Sequence, residues 1–112
     1  MLQPQNRLRD SVEITQALRS GGRVRLPLFD IFVAPSTASV IRVACVVGKR
    51  AHAHAVQRHA IARRLRAACA RVVVCIPGSY NVVIVGKSSV VLSASFEDII
   101  RDIYYGILTH IA

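Results

Sequence analysis

Carboxylates are scarce in this chain and unevenly placed. The six are Asp10, Glu13, Asp30, Glu97, Asp98 and Asp102, so positions 31 to 96 contain none. A metal-dependent nuclease or hydrolase needs Asp and Glu side chains converging on a cation, and acids confined to the two ends do not suggest such a cluster. Tryptophan is absent and aromatics make up 5% of the chain, so the 53% of hydrophobic residues is largely Val, Ile and Ala. That composition suits a packed domain and excludes a disordered basic tail. No apolar run approaches the roughly 18 residues of a membrane-spanning helix. The longest, such as Val72 to Ile76 and Val82 to Val85, are of strand length, so no membrane span is expected. Met1 to Asp10 is polar and basic with no apolar segment after it, unlike a secretory signal, and a cytoplasmic protein is expected. Cysteines number three, Cys45, Cys69 and Cys75, with no C-x-x-C pair, which reads as buried free thiols in a reducing compartment.

What the chain has instead is positive charge, concentrated in one place. Net charge is +9, and the interval without carboxylates holds Arg42, Lys49, Arg50, Arg58, Arg63, Arg64, Arg66, Arg71 and Lys87, nine cations that equal the whole excess. Most are arginine, whose planar fork suits phosphate oxygens and base stacking. A polyanionic partner follows. Nucleic acid is favoured over a membrane surface, because no lipid-facing stripe accompanies the charge.

At 112 residues the chain is expected to be one domain over 1–112 with a single fold. Asp10 or Ser11 can cap a first helix running to about Arg19, stopped by Gly21 and Gly22. Arg23 to Pro35 reads as extended, with Pro27 unable to donate to a ladder. After the turn at Pro35-Ser36-Thr37 a strand follows from Val40 to Val47, nearly continuous in β-branched residues and so expected in the middle of the sheet, in a hairpin with the preceding segment. Positions 54 to 74 lack Gly and Pro and set Ile61, Leu65, Ala68 and Val72 on one helical face. His59, Arg63 and Arg66 then point away from that face, with Arg58, Arg64 and Arg71 flanking it. Tyr80 to Gly86 gives another strand, and Ser95 caps a last helix with Glu97 and Asp98 in its first turn. The class is α+β, in the order α-β-β-β-α-β-α, a sandwich with helices packed on a mixed, mainly antiparallel sheet of about four strands.

The stretch Val46 to Arg71, VVGKRAHAHAVQRHAIARRLRAACAR, carries the function. A strand ends at Gly48, a Lys49-Arg50 pair follows in a loop, and after Ala55-Val56 the pair Arg58-His59 opens a helix with arginines at 63, 64 and 66. This resembles the hallmark of the bacterial ribonuclease P protein family, a strand ending in Ser-Lys-Lys followed by Ala-Val-x-Arg-Asn-Arg and a basic run on the helix. The likeness spans nearly the whole chain: Asn6-Arg7-Leu8 is similar to the family's N-terminal Asn-Arg-Leu, Glu13 to Gly21 to its first helix, and Tyr80 to Lys87 to the strand after the arginine helix. The chain also departs from the pattern. Gly48 stands in place of Ser, His59 of Asn, Ala60 of Arg and Ala62 of Lys or Arg, while Ile14 and Leu18 occupy first-helix positions that are commonly Phe.

The resemblance implies a protein that assists a catalytic RNA without cleaving anything itself, so no catalytic residue and no protein-held metal is expected in this chain. Lys49, Arg50, Arg58, His59, Arg63, Arg64 and Arg66 would meet phosphates of the ribonuclease P RNA. Ile14, Leu18 and Phe32 would line a cleft for the single-stranded 5′ leader of precursor tRNA, where stacking tolerates sequence variation. Mg2+ would be the cofactor, bound mainly by the RNA. Another small RNA-binding protein, ribosomal in type, shares the basic helix but not the ordered Asn-Arg-Leu and Lys-Arg/Ala-Val-x-Arg features. A metal-binding regulator built on His52, His54 and His59 lacks a completing Cys or carboxylate, and the arginine helix has no preceding short helix with which to form a DNA-reading pair.

Overall fold

A computed structural model describes residues 2–111. Its elements are a single 3-10 turn at Pro4–Asn6, then α1 (Ser11–Ser20), β1 (Gly22–Arg25), β2 (Phe29–Pro35), β3 (Arg42–Val47), α2 (Ala55–Val72), β4 (Tyr80–Gly86) and α3 (Phe96–Ile111), with short 3-10 turns after α2 and β4. The expected α+β order is the observed one. The Asp10 carboxylate starts α1 by accepting from the backbone N–H groups of Val12 (2.8 Å) and Glu13 (3.5 Å), two of the donors a helix start leaves without partners. Gly21 ends it, where a Cβ would lie 2.4 Å from the Ala17 carbonyl oxygen and 3.0 Å from that of Val33. Only glycine lets the chain turn from α1 into the sheet so close to β2.

The strands lie in the order β1-β2-β4-β3. Arg23 to Pro35 is not one extended segment but a hairpin, β1 antiparallel to β2, with Pro27 in the turn between them and the Leu26 N–H donating to the Phe29 carbonyl at 3.0 Å. The hairpin expected between β2 and β3 does not form. β4 inserts between them, antiparallel to β2 and parallel to β3, and β3 is an edge strand of the sheet, not a central one. Burial decides this: Val82, Val83 and Ile84 of β4 are fully buried on both faces of the sheet, whereas only Val43 of β3 is buried. A strand apolar on both sides gains most where layers cover both.

Helices cover the two faces unequally. α2 and α3 bury Ile61, Leu65, Ile99, Ile103 and Ile107 against Phe29, Ile31, Val33, Val82 and Ile84 in the main core. α3 comes close to the sheet through Gly106, where a Cβ would stand 2.6 Å from the Ile31 Cδ1. α1 alone covers the other face, packing Ala17 and Ile14 over Val83, Phe32, Ala34, Ala44 and Val85 with Leu8 beneath. The Asn6-Arg7-Leu8 stretch shields the outer edge of β3: Arg7 bridges Val43 in parallel, the Leu8 N–H reaches the Val43 carbonyl (3.0 Å) and the Asn6 side-chain amide the Ile41 carbonyl (2.9 Å). Covering an edge in this way blocks pairing with other chains. Of the three cysteines only Cys69 is fully buried; Cys45 is partly covered, and Cys75, at the end of the turn that follows α2, is exposed. Hydrogen bonding with Cys45, then burial, pushes the Cys69 thiol well above the usual cysteine range.

Candidate nucleic-acid interface

α2 divides its cations between two tasks. His59, Arg63 and Arg66 lie one helical turn apart on the exposed face, and Lys49 and Arg50 are exposed in the loop before the helix. Arg58 and Arg64 turn inward. The Arg58 guanidinium donates from Nη1 to the carbonyls of His52 (3.1 Å) and Ala53 (2.7 Å), fastening the loop to the helix it precedes. Arg64 donates from Nη2 to the Ala94 carbonyl at 2.7 Å and sets its Cζ 5.3 Å from the centre of the Phe96 ring, tying α2 to the start of α3, while its buried Nε has no partner. Ala62, where the resembling family carries a cation, is itself buried.

The exposed arginines border a groove of about 720 Å³ along the open part of the β3 edge. Arg63 and Arg66 form one wall, Arg7 and Arg9 the other, and Leu8, Ile14, Ala44 and Val46 contribute an apolar floor. The concavity therefore joins two sets of residues that the sequence suggested separately, since Ile14 from α1 and the arginines of α2 share it. Arg7 and Arg9 were missed as candidates. Their signal is local: in an extended segment they alternate with Leu8, which places both on the side opposite the buried residue. Leu18 and Phe32 do not line this groove. Leu18 is 38% exposed on α1, and Phe32 packs beside Ile14 on the sheet face beneath α1.

Phe32 has a cationic surrounding of its own. Arg23, its cross-strand partner on β1, places Cζ 5.4 Å from the ring centre and donates from Nη2 to Asp30 Oδ2 at 2.8 Å, while Lys87 Nζ holds Asp30 Oδ1 at 2.7 Å. Burial alone raises the pKa of the Asp30 carboxyl, but hydrogen bonds from Lys87 and Arg23, with their charges, prevail and hold it below the ordinary aspartate value. Elsewhere Glu13 of α1 accepts from Arg42 and from the Asn81 side chain (3.1 Å), and Arg42 Nε reaches Asn81 Oδ1 at 3.2 Å. Folding thus returns Glu13 and Asp30 to the carboxylate-free interval and neutralises Arg42. Within that interval, the charge left without a carboxylate among the described residues lies on the loop before α2 and on α2 itself.

Among the described residues, no three His, Cys, Asp or Glu side chains are arranged to hold a metal ion. The rings of His52 and His54 lie 5.3 Å apart, and His52 Nδ1 already accepts from the His54 backbone N–H at 3.1 Å. Nor is any helix among these residues long and apolar enough to cross a membrane.

One protein-family model, Ribonuclease P, matches residues 2–109 of this sequence. The chain belongs to the ribonuclease P protein family. Its fold is also that of solved bacterial relatives: the Staphylococcus aureus RNase P protein, 14% identical, superposes with a TM-score of 0.73 over 93% of this chain and 94% of that one. The RNase P protein from Thermotoga maritima in complex with 1-(4-fluorophenyl)-2-thiourea, 17% identical, does so with a TM-score of 0.70 over 92% and 94%. No curated sequence matches. Family membership makes this chain an RNase P protein subunit, with RNA binding in the context of tRNA processing as the role that fits.

Proposed function

We propose that this subunit grips the ribonuclease P RNA through the open face of α2 and holds the 5′ leader of precursor tRNA along the face covered by α1, leaving hydrolysis to the RNA. The observation that carries the reading is the groove at the β3 edge, because it runs without interruption from Arg63 and Arg66 to Ile14. Arg63, Arg66 and His59, with Lys49 and Arg50, meet phosphates of the catalytic RNA; Arg7 and Arg9 extend that contact across the groove. Arg58 and Arg64 act one step back, by fixing the loop and the helix that carry those residues. Ile14, Leu18 and Phe32 line the leader path, with aliphatic side chains at two of the three positions. Mg2+, held mainly by the RNA, supplies the Lewis acid for phosphodiester hydrolysis. The chain's own part is to neutralise phosphate repulsion and to favour precursor over product through the leader, in the cytoplasm, where precursor tRNA is processed.

The test is cleavage of a precursor tRNA by a bacterial ribonuclease P RNA at low magnesium, with and without this protein. Restored cleavage at the correct site, with no cleavage by the protein alone, is expected. A protein that neither binds that RNA at moderate salt nor restores cleavage overturns the reading.

A further inference from the structure

We propose that Arg23, not Phe32, is the surface on which an unpaired RNA nucleotide stacks in the α1-side cleft. The proposal rests on the leader-binding reading above and names the contact within it. A base stacking directly on Phe32 has to displace Arg23, whose guanidinium carbon already lies over the ring at 5.4 Å. Arg23 is not easily displaced, because its Nη2 is fixed on Asp30, whose side chain is only 8% exposed and whose other oxygen is held by Lys87. Yet the Arg23 side chain is 43% exposed. The guanidinium thus has an aromatic ring beside it and a carboxylate holding it while much of the side chain stays open to solvent, so the group is in place before any RNA arrives, and little ordering cost falls due on binding. Guanidinium planes accept unpaired bases much as aromatic rings do. The charges suit a nucleotide as well: two cations share one carboxylate, which leaves one positive charge for a phosphate, and exposed Arg25 continues the same face of β1 two residues on. The arrangement also answers the two aliphatic side chains, Ile14 and Leu18, that α1 brings to this face, since it offers a stacking plane from the opposite wall.

The experiment separates stacking from simple charge. The full chain, labelled with 15N at arginine, is titrated with a five-nucleotide unstructured RNA and with the same backbone lacking its bases. An upfield ring-current shift at the Arg23 Nε–H is expected with the base-bearing strand only, together with roughly tenfold tighter binding of that strand than of the abasic one, the usual scale for one stacked base. Arg23→Lys keeps the charge and a partner for Asp30 but loses the plane, so it is expected to bring the two strands close to equal affinity while leaving the salt dependence of binding unchanged. If Arg23→Lys keeps the wild-type preference for the base-bearing strand, or if the Arg23 signal does not move, the platform is elsewhere. A separate arm compares the assembled RNA–protein enzyme on precursor tRNA with and without a leader. A stacking signal with no leader dependence leaves the platform in place and refutes the leader reading, whereas leader dependence that survives Arg23→Lys intact refutes the platform alone.

Discussion

Replacing Arg64 by alanine should damage the fold and leave the RNA-binding electrostatics alone, although Arg64 sits in the same basic run as Arg63 and Arg66. Three contributions set the size of the effect. The charged hydrogen bond to the Ala94 carbonyl is worth about 1.5–3 kcal/mol, and the guanidinium near Phe96 adds about 0.5–1 kcal/mol. Against these, the buried Nε has no partner, and removing it recovers about 1–3 kcal/mol of desolvation cost. At mid-range values a net loss of about 1 kcal/mol results, which for a chain of this length lowers Tm by about 4 °C. Arg63→Ala/Arg66→Ala should do the reverse. Tm stays close to that of the wild type, because both side chains are exposed, whereas the slope of log K against log salt falls by about 1.4–1.8, the loss of two phosphate contacts. Between 50 and 200 mM salt the wild type then weakens roughly tenfold more than the double variant. Thermal unfolding followed by circular dichroism, and binding to the catalytic RNA at four salt concentrations, measure both quantities on the same preparations. An Arg64→Ala protein that melts like the wild type and has the flattened salt slope would refute the division of labour argued for α2.

Acid should destabilise the sheet through Asp30. Its pKa is lowered in the folded state, so the stabilisation is fully present above the ordinary aspartate value of 3.8 and is lost as pH falls through the lower folded value; urea unfolding at pH 6 and pH 3 should show a smaller acid-induced loss in Asp30→Asn than in the wild type. Glu13→Ala removes the acceptor that joins α1 to Arg42 and Asn81, and faster amide exchange in α1, with a loss of about 1–3 kcal/mol by chemical denaturation, is expected. Thiol labelling of the native protein should modify exposed Cys75 first, with Cys69 protected until unfolding; equal rates at the two would contradict the packing of α2.

Much of the fold was legible because its signals are local. The Asp10 cap, the Gly21 stop and the gap in Gly and Pro from Ala55 to Val72 each act within a turn or two, and each fixes an element where it was expected. Strand order was not legible in the same way. Val40 to Val47 and Tyr80 to Gly86 are similarly β-branched, and which of them takes the centre depends on two helices arriving from distant parts of the chain to cover both faces of one strand. The site shows the same limit. Helical spacing alone puts His59, Arg63 and Arg66 on the open face, but nothing near Arg64 in sequence says that Ala94 and Phe96 lie thirty residues away in contact with it.

The thinned arginine motif takes on a different meaning once those contacts are drawn. By sequence alone the helix carries five cations that could face RNA, Arg58, Arg63, Arg64, Arg66 and Arg71, yet two of them are spent on carbonyl groups of the chain itself. With Ala at 60 and 62, phosphate contact through α2 rests on few side chains, and the groove's other wall, Arg7 and Arg9, becomes a proportionally larger part of the interface. Arg7 also donates to the Leu2 carbonyl at 3.2 Å, so Arg9, exposed and with no such tie among the described residues, is the more telling site. Arg9→Ala should therefore lower the salt slope of RNA binding by about 0.7–0.9, the size expected for one phosphate contact. An Arg9→Ala slope equal to that of the wild type would confine the interface to α2 and its preceding loop, and the groove would then serve the leader side only.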